Sequence, residues 1–485
     1  MSETETVKKR EATTFRGDVL RLVSGTGIAQ VIGILSIPIL TRLYAPEAFG
    51  MMALFASIAG IIGVVSCLRY ELAIVLPDND REAANLLALS LGITVLIALF
   101  TLPVVAFGRE TIAGWVSMPE LAPYLWLLPP AVLLGGFFKA LNYWNTRTKH
   151  FTRLSISRVS EATAGNGSKL TAGFAGYATG GTMIAATVVG QAVATTVLGG
   201  QILRDDGRFL WRNIRWTNIA AGIKRHKKFP IYSTWAGILN TASWQLPILM
   251  LGAFFSPAVV GYYALGFRIF QMPMQLIGRA IGQVFHQRAA EAQNEGNVAP
   301  LVEDTFRRLV VISLFPILLL MVIGPELYVV AFGRDWAESG YYAQLLAPLA
   351  LFWFISSPIS SLYFVLEQQL QALKWQFALF LTTLASLSIG VYCNSVTIIL
   401  LLLMLSGIIV YGYLIVYLFN STGAKILNVL IALRQHICLV LGLLFSVLVV
   451  KLYVSESWII VAWGLLGWVV CYCRNETKLA LRRFL

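Results

Sequence analysis

Charge is what this sequence has least of: Asp, Glu, Lys and Arg make up 13% of its 485 residues, about half the share of a soluble globular chain. Histidine is scarcer still. His150, His226, His286 and His436 are scattered, and none shares a metal-ligand spacing with a cysteine. Cys67, Cys393, Cys438, Cys471 and Cys473 lie in or beside apolar blocks, which suits small hydrophobic filler and gives no disulfide framework. No G-x-x-x-x-G-K-[ST] string is present, so nothing points to a nucleotide-driven pump. Long polar loops are missing too; the longest run from 204 to 230 and from 286 to 306. A membrane glycosyltransferase or polymerase would need acids, bases or a metal on a large outer loop. That reading is disfavoured, and the expectation is a chain that is not an enzyme and carries no cofactor and no metal.

What is there is apolar. Hydrophobic residues make up 57% of the chain, and they fall in blocks of about 18 or more, the length that crosses a bilayer as a helix. Lipid cannot satisfy a bare backbone N–H or C=O, so these blocks must be helical. Candidate spans are 19–41, 48–69, 85–107, 122–144, 156–179, 181–203, 231–254, 258–284, 306–332, 341–366, 370–392, 396–419, 436–454 and 457–473. The expected fold class is therefore an all-α polytopic membrane protein of about 14 transmembrane helices. The polar N-terminus runs straight into the first span with no small-residue cleavage site, so that span reads as a retained helix.

The net charge of +13 would suggest nucleic acid in a soluble protein. Here the cations sit in alternate loops instead, so no nucleic-acid partner is expected and membrane lipid is. With the N-terminus inside, only Arg42, Arg109, Arg334 and Lys451 fall outside; both termini are therefore expected on the cytoplasmic side. Residues 204–230 interleave Phe209, Trp211, Ile214, Trp216, Ile219 and Ile223 with basic residues, the pattern of a cytoplasmic amphipathic linker on the inner leaflet.

The halves on either side of that linker repeat. Pro46, Gly50, Ala53 and Leu54 form a P-x-x-x-G-x-x-A-L string that returns as Pro257, Gly261, Ala264 and Leu265. Glu120, Tyr124, Leu127, Leu128, Pro130 and Leu133 return at the same spacing as Glu338, Tyr342, Leu345, Leu346, Pro348 and Leu351. An even number of helices per half keeps both halves the same way up, so the expected symmetry is a pseudo-two-fold along the membrane normal. The expected organisation is an N-lobe (1–203, helices one to six), the linker (204–230), a C-lobe (231–419, helices seven to twelve) and an extra helix pair (420–485).

Four segments carry a family resemblance. Arg42-Leu43-Tyr44-Ala45-Pro46-Glu47-Ala48-Phe49-Gly50 resembles the R-x-x-x-P-x-x-F-G segment of Wzx-type (O-antigen) polysaccharide flippases. Arg69-Tyr70-Glu71-Leu72-Ala73-Ile74-Val75-Leu76-Pro77 resembles the R-Y-E-x-A-I-x-L-P segment of one subgroup, as do Lys228-Phe229-Pro230 and Gly261-Tyr262-Tyr263-Ala264-Leu265 with Pro273. The resemblance implies the multidrug/oligosaccharidyl-lipid/polysaccharide (MOP) exporter fold, two bundles working by ion-coupled alternating access. It also implies the cargo, an undecaprenyl-pyrophosphate-linked O-antigen or exopolysaccharide repeat unit, handed on to polymerase or ligase machinery in lipopolysaccharide biosynthesis. Rival readings are a multidrug or small-molecule antiporter of the same fold and a peptidoglycan-precursor flippase.

An anionic, sugar-bearing cargo needs cations and hydrogen-bonding groups shielded from lipid, and intramembrane charges are costly enough to be functional candidates. Arg268, near the middle of the eighth span, is placed first as a bidentate phosphate ligand, against the alternative of a packing hydrogen bond. Arg69 and Arg279 either form a basic entry ring or snorkel to headgroups, and Arg21 reads as an anchor. Lys139 and Lys169 are cavity candidates, with Asn240 and Gln245 as sugar contacts; Glu161 and Glu71 are ion-coupling candidates. Buried cations outnumber buried acids, which favours anionic cargo over the cationic drugs of an antiporter.

Overall fold

The computed structural model describes residues 26–274 and 278–473, which are helical throughout apart from turns. Arg21 lies outside the described residues. The helices are α1 (Thr26–Leu43), α2 (Pro46–Val65), α3 (Asp80–Trp115), α4 (Leu128–Arg147), α5 (Phe151–Phe174) and α6 (Gly180–Asp205). Two short helices, α7 (Gly207–Asn213) and α8 (Trp216–Arg225), lead to α9 (Thr234–Phe254), α10 (Pro257–Pro273) and α11 (Arg279–Asn294). Then come α12 (Val298–Phe332), α13 (Ala337–Ile359), α14 (Leu362–Val365), α15 (Gln369–Tyr392), α16 (Val396–Thr422), α17 (Ile426–Tyr453) and α18 (Ser457–Cys473).

Ten of these segments are long and apolar enough to cross a membrane among the described residues. The other expected span positions are occupied by α5, α9, α10 with α11, and α18. Helix α5 has the length of a span but not the hydropathy, because Arg158, Glu161, Asn166 and Lys169 lie along it. The eighth span is not uniformly α-helical: α10 ends at Pro273, Met274 and Gly278 are π-helical, and α11 begins at Arg279, a local widening of the kind that accommodates a proline without an N–H. The second span stops at Val65, short of its expected end, because Leu68 (φ 47°) and Arg69 (φ 63°) turn left-handed.

Local chemistry explains the helix starts. Proline begins both α2 and α10, at the two equivalent points of the sequence repeat, where a missing N–H costs nothing. Asn79 caps α3 by accepting from the Arg81 amide at 2.9 Å, and Thr179 and Thr182 form a capping box on α6. Ser395 caps α16, and Gly423 ends it at φ 73°, the left-handed cap that favours glycine.

The chain forms two compact units, Met1–Val260 and Gly261–Leu485. In the first, α9 lies along α2: Leu54 fills the space beside Gly252, and Ser57 donates to Gln245. The unit therefore continues past the linker. Its α7–α8 linker is docked on α3, with Asn85 donating to the Asn213 carbonyl, accepting from the Arg215 amide, and Arg225 pairing with Glu82 at 2.7 Å. Trp211 and Trp216 remain exposed beside these basic residues. Helices α5 and α6 cross closely at Gly165 and Gly190.

In the second unit, α17 and α18 pack on α12 through Phe315, Leu319, Ile323, Val440, Leu444 and Val447. Helix α12 bends at Ile323 (φ −119°, ψ 24°), just before Pro325. Lys451 of α17 donates to the Val322 carbonyl at 2.7 Å and pairs with Glu326 at 3.0 Å. The extra helix pair thus braces the bend, with Lys451 held in the last turn of α17.

Candidate functional site

The polar centre of the first unit is built where α2 ends. Two successive left-handed residues without glycine cost about 1–3 kcal/mol each, and Leu68 and Arg69 adopt that conformation. The turn leads into a short 3-10 helix, Tyr70–Val75, and buries Glu71. Arg69 Nη1 stands 3.8 Å from Glu71 Oε1, too far for a hydrogen bond. Arg69 Nε and Glu71 Oε2 are both buried without a hydrogen-bond partner. Such orphaned groups are rare in native folds and mark a site where a further group is expected.

Lys139, on α4, reaches the same place. Its Nζ donates to the carbonyl of Gly63, which also accepts from Ser66 Oγ at 2.9 Å. Gly63 lies in the last turn of α2, where carbonyls have no partner within the helix. Cys67 is buried against Thr94 Oγ1 (3.2 Å) and the Gly136 carbonyl (3.4 Å), a tie between α2, α3 and α4. Burial pushes the Glu71 carboxyl above its ordinary value, while its own backbone N–H, Arg69 and Lys139 oppose the shift. Burial prevails because water is excluded and no donor sits on Oε2.

Helix α9 closes the other side. Gly237 lies against the Arg69 guanidinium, with no room for a Cβ. Two turns on, Gln245 accepts from Ser57 Oγ at 3.0 Å, and its amide nitrogen lies over Gly60. Gly60 and Gly63 are one turn apart on α2, so Gln245 and Lys139 line one face of its C-terminal half, just before the turn that carries Arg69 and Glu71. Asn240 is exposed on α9, one turn beyond the Arg69 seat.

The remaining candidates stand elsewhere. Glu161 pairs with Arg158 at 3.5 Å, and that guanidinium sits 4.6 Å above the Phe138 ring. Lys169 is half-buried, and its carbonyl accepts from Tyr44. In the second unit Arg268 is half-buried on α10 and has no hydrogen bond or ion pair among the described residues. It lies two residues from Gly266, which packs on Ser339, so it points to the opposite side of α10. Arg279 begins α11.

Sequence reasoning missed three features. The Glu326–Lys451 pair had a signal, an acid inside the ninth span. Gly237 and the Gly60-x-x-Gly63 face had only glycine spacing. Nothing in the sequence marks Arg158 as the partner of Glu161 over Lys169 except the shorter interval.

A family model described as "Polysaccharide biosynthesis protein" matches residues 39–340. The lipopolysaccharide biosynthesis protein WzxC of Escherichia coli (strain K12) is 25% identical over 355 residues, 70% of this chain and 68% of the relative. Among solved structures, the lipid II flippase MurJ in an inward closed conformation superposes with a TM-score of 0.75 at 11% identity, covering 93% of this chain and 97% of MurJ. An inward-facing multidrug resistance MATE family transporter of the MOP superfamily gives 0.61 at 13% identity, covering 83% and 94%. These likenesses establish the fold: a multi-pass helical membrane protein folded like these two structures.

Proposed function

The chain belongs to the polysaccharide biosynthesis protein family, and on that premise we propose that it moves a lipid-linked oligosaccharide across the bacterial inner membrane. The cargo is a polyprenyl-diphosphate-linked repeat unit of a surface polysaccharide, carried by alternating access and coupled to an ion gradient without ATP hydrolysis. Both termini lie in the cytoplasm, and the delivered glycan passes to a polymerase or ligase outside.

One observation carries this reading: Arg69 and Lys139 converge beside a single buried acid, leaving a net positive centre inside a membrane domain. An isolated cation at that depth is costly, and a diphosphate offers the compensating charge in a bidentate form suited to a guanidinium. Arg69 Nε has an unused donor for it. Gln245 and Asn240 supply amides for sugar hydroxyls, Arg268 is a further cation with no hydrogen bond or ion pair among the described residues, and Arg279 and Lys169 complete the basic set. Glu71 and Glu161 are the acids available for ion coupling. The excess of cations also favours this cargo over the cationic drugs of an antiporter.

The test is cellular. Loss of the gene in its host should leave the glycan on its lipid carrier inside and strip the surface of lectin-reactive polysaccharide. Re-expressed wild type should restore it, whereas Arg69→Ala or Arg268→Ala, at equal membrane abundance, should not. Full restoration by both variants would remove the arginines from the cargo path.

A further inference from the structure

A second polar centre lies wholly within the second unit. Tyr363, at the start of α14, is 2% exposed, and its hydroxyl has no partner. Its ring is 5.9 Å from Tyr417, which in turn stacks on Tyr413 at 6.0 Å with the planes 29° apart. Gln371 of α15 donates to the Tyr413 hydroxyl at 3.0 Å. Gln368, in the turn before α15, has a buried carbonyl oxygen that accepts nothing. Trp375 fixes the floor, with its indole N–H on the Val410 carbonyl and its ring edge-on to Tyr411 at 5.5 Å.

Tyrosines near helix ends commonly form an interfacial belt, but a belt residue keeps its hydroxyl in the headgroup region. Tyr363 does the reverse. Its phenol is buried, and burying a hydroxyl without a partner costs roughly 1–3 kcal/mol. Gln368, whose backbone N–H donates to the Tyr363 carbonyl at 2.7 Å, adds a second orphaned polar atom beside this group of rings, and Tyr413 is 53% exposed. The converging groups are uncharged, so the niche cannot neutralise a phosphate. Flat aromatic faces with phenol and amide groups at their rim fit a neutral, polyhydroxylated ring.

We propose that Tyr363, Tyr413, Tyr417, Gln368 and Gln371 form a sugar-binding niche for the glycan of the lipid-linked cargo. Resting on the flippase reading above, this assigns the sugar half of the substrate to uncharged residues other than the arginines. The niche lies where α15 begins and α16 nears its end, the end that the charge alternation assigns to the cytoplasm. A headgroup arriving within the inner leaflet would meet Tyr413 first. The sugar hydroxyls would then satisfy Tyr363 and Gln368.

Binding by the full chain in nanodiscs tests the niche with three probes: a polyprenyl diphosphate bearing a trisaccharide, the same lipid diphosphate without sugar, and phosphatidylglycerol. Tyr413→Ala with Tyr417→Ala should weaken the sugar-bearing lipid about tenfold, and Tyr363→Phe severalfold, with the bare lipid diphosphate unchanged. Tyr363→Phe keeps the ring, so it decides the matter if the double variant does not fold. Unchanged binding, equal weakening of both lipid diphosphates, or weakening of phosphatidylglycerol would overturn the niche. Displacement by the free trisaccharide alone would overturn its assignment to the lipid-linked form. Failure of the flippase reading looks different: wild type would prefer neither lipid diphosphate over phosphatidylglycerol.

Discussion

The Arg69 guanidinium lies against Gly237, in a space that any other residue on α9 would fill. The left-handed turn at Leu68 and Arg69 aims the side chain, and the glycine admits it. Position and charge are set by different elements, so each can be altered alone.

Gly237→Val should displace Arg69 and reduce transport roughly 10–100-fold, the loss expected when a binding group shifts by about an ångström. Gly200→Ala is the control, because nothing lies within 4 Å of a Cβ there. Transport rate at matched membrane abundance is the measurement. Equal rates for both variants would mean that the seat does not matter.

Glu71 titrates in a predictable direction. Its folded-state carboxyl lies above the ordinary 4.5, so the native state holds a proton that the unfolded chain has released. Stability should therefore fall as pH rises from about 4.5 to the raised value and level off above it. Glu71→Gln removes the ionisation, so its Tm should exceed that of wild type at neutral pH. Below about pH 4.5 the difference should vanish. A Glu71→Gln variant less stable at neutral pH would mean that Arg69 and Lys139 outweigh burial.

The Lys451–Glu326 pair holds the bend of α12 through a side chain from the extra helix pair. Breaking a fully buried pair costs about 3–5 kcal/mol; the side chains here are 28% and 17% exposed, so the loss should be smaller. Lys451→Glu should lower Tm and transport together, and Glu326→Lys added to it should restore much of both. A double variant no better than the single one would leave the Val322 carbonyl contact as the important interaction.

The membrane spans were legible because lipid forces long apolar helices, and the prolines at 46 and 257 mark helix starts that sequence repetition alone had paired. The end of α2 was not legible, since left-handed Leu68 and Arg69 are held by tertiary packing and carry no glycine signal. Arg69 and Glu71 were each suspected near the cytoplasmic end of a span, and Lys139 within one. Their convergence was not, because it depends on where α4 crosses α2. The tyrosine niche was hidden for the same reason: Tyr363 and Tyr417 are distant in sequence, and nothing beside either points to the other.

The flippase reading is tested most directly in sealed proteoliposomes containing the purified chain and a polyprenyl-diphosphate-linked oligosaccharide loaded in the inner leaflet. A lectin added outside reports the sugar as it crosses. The account predicts lectin-accessible sugar rising well above protein-free vesicles under an imposed ion gradient, with Arg69→Ala near the protein-free level. Folded wild-type protein that leaves the sugar inside, with or without a gradient, would contradict it.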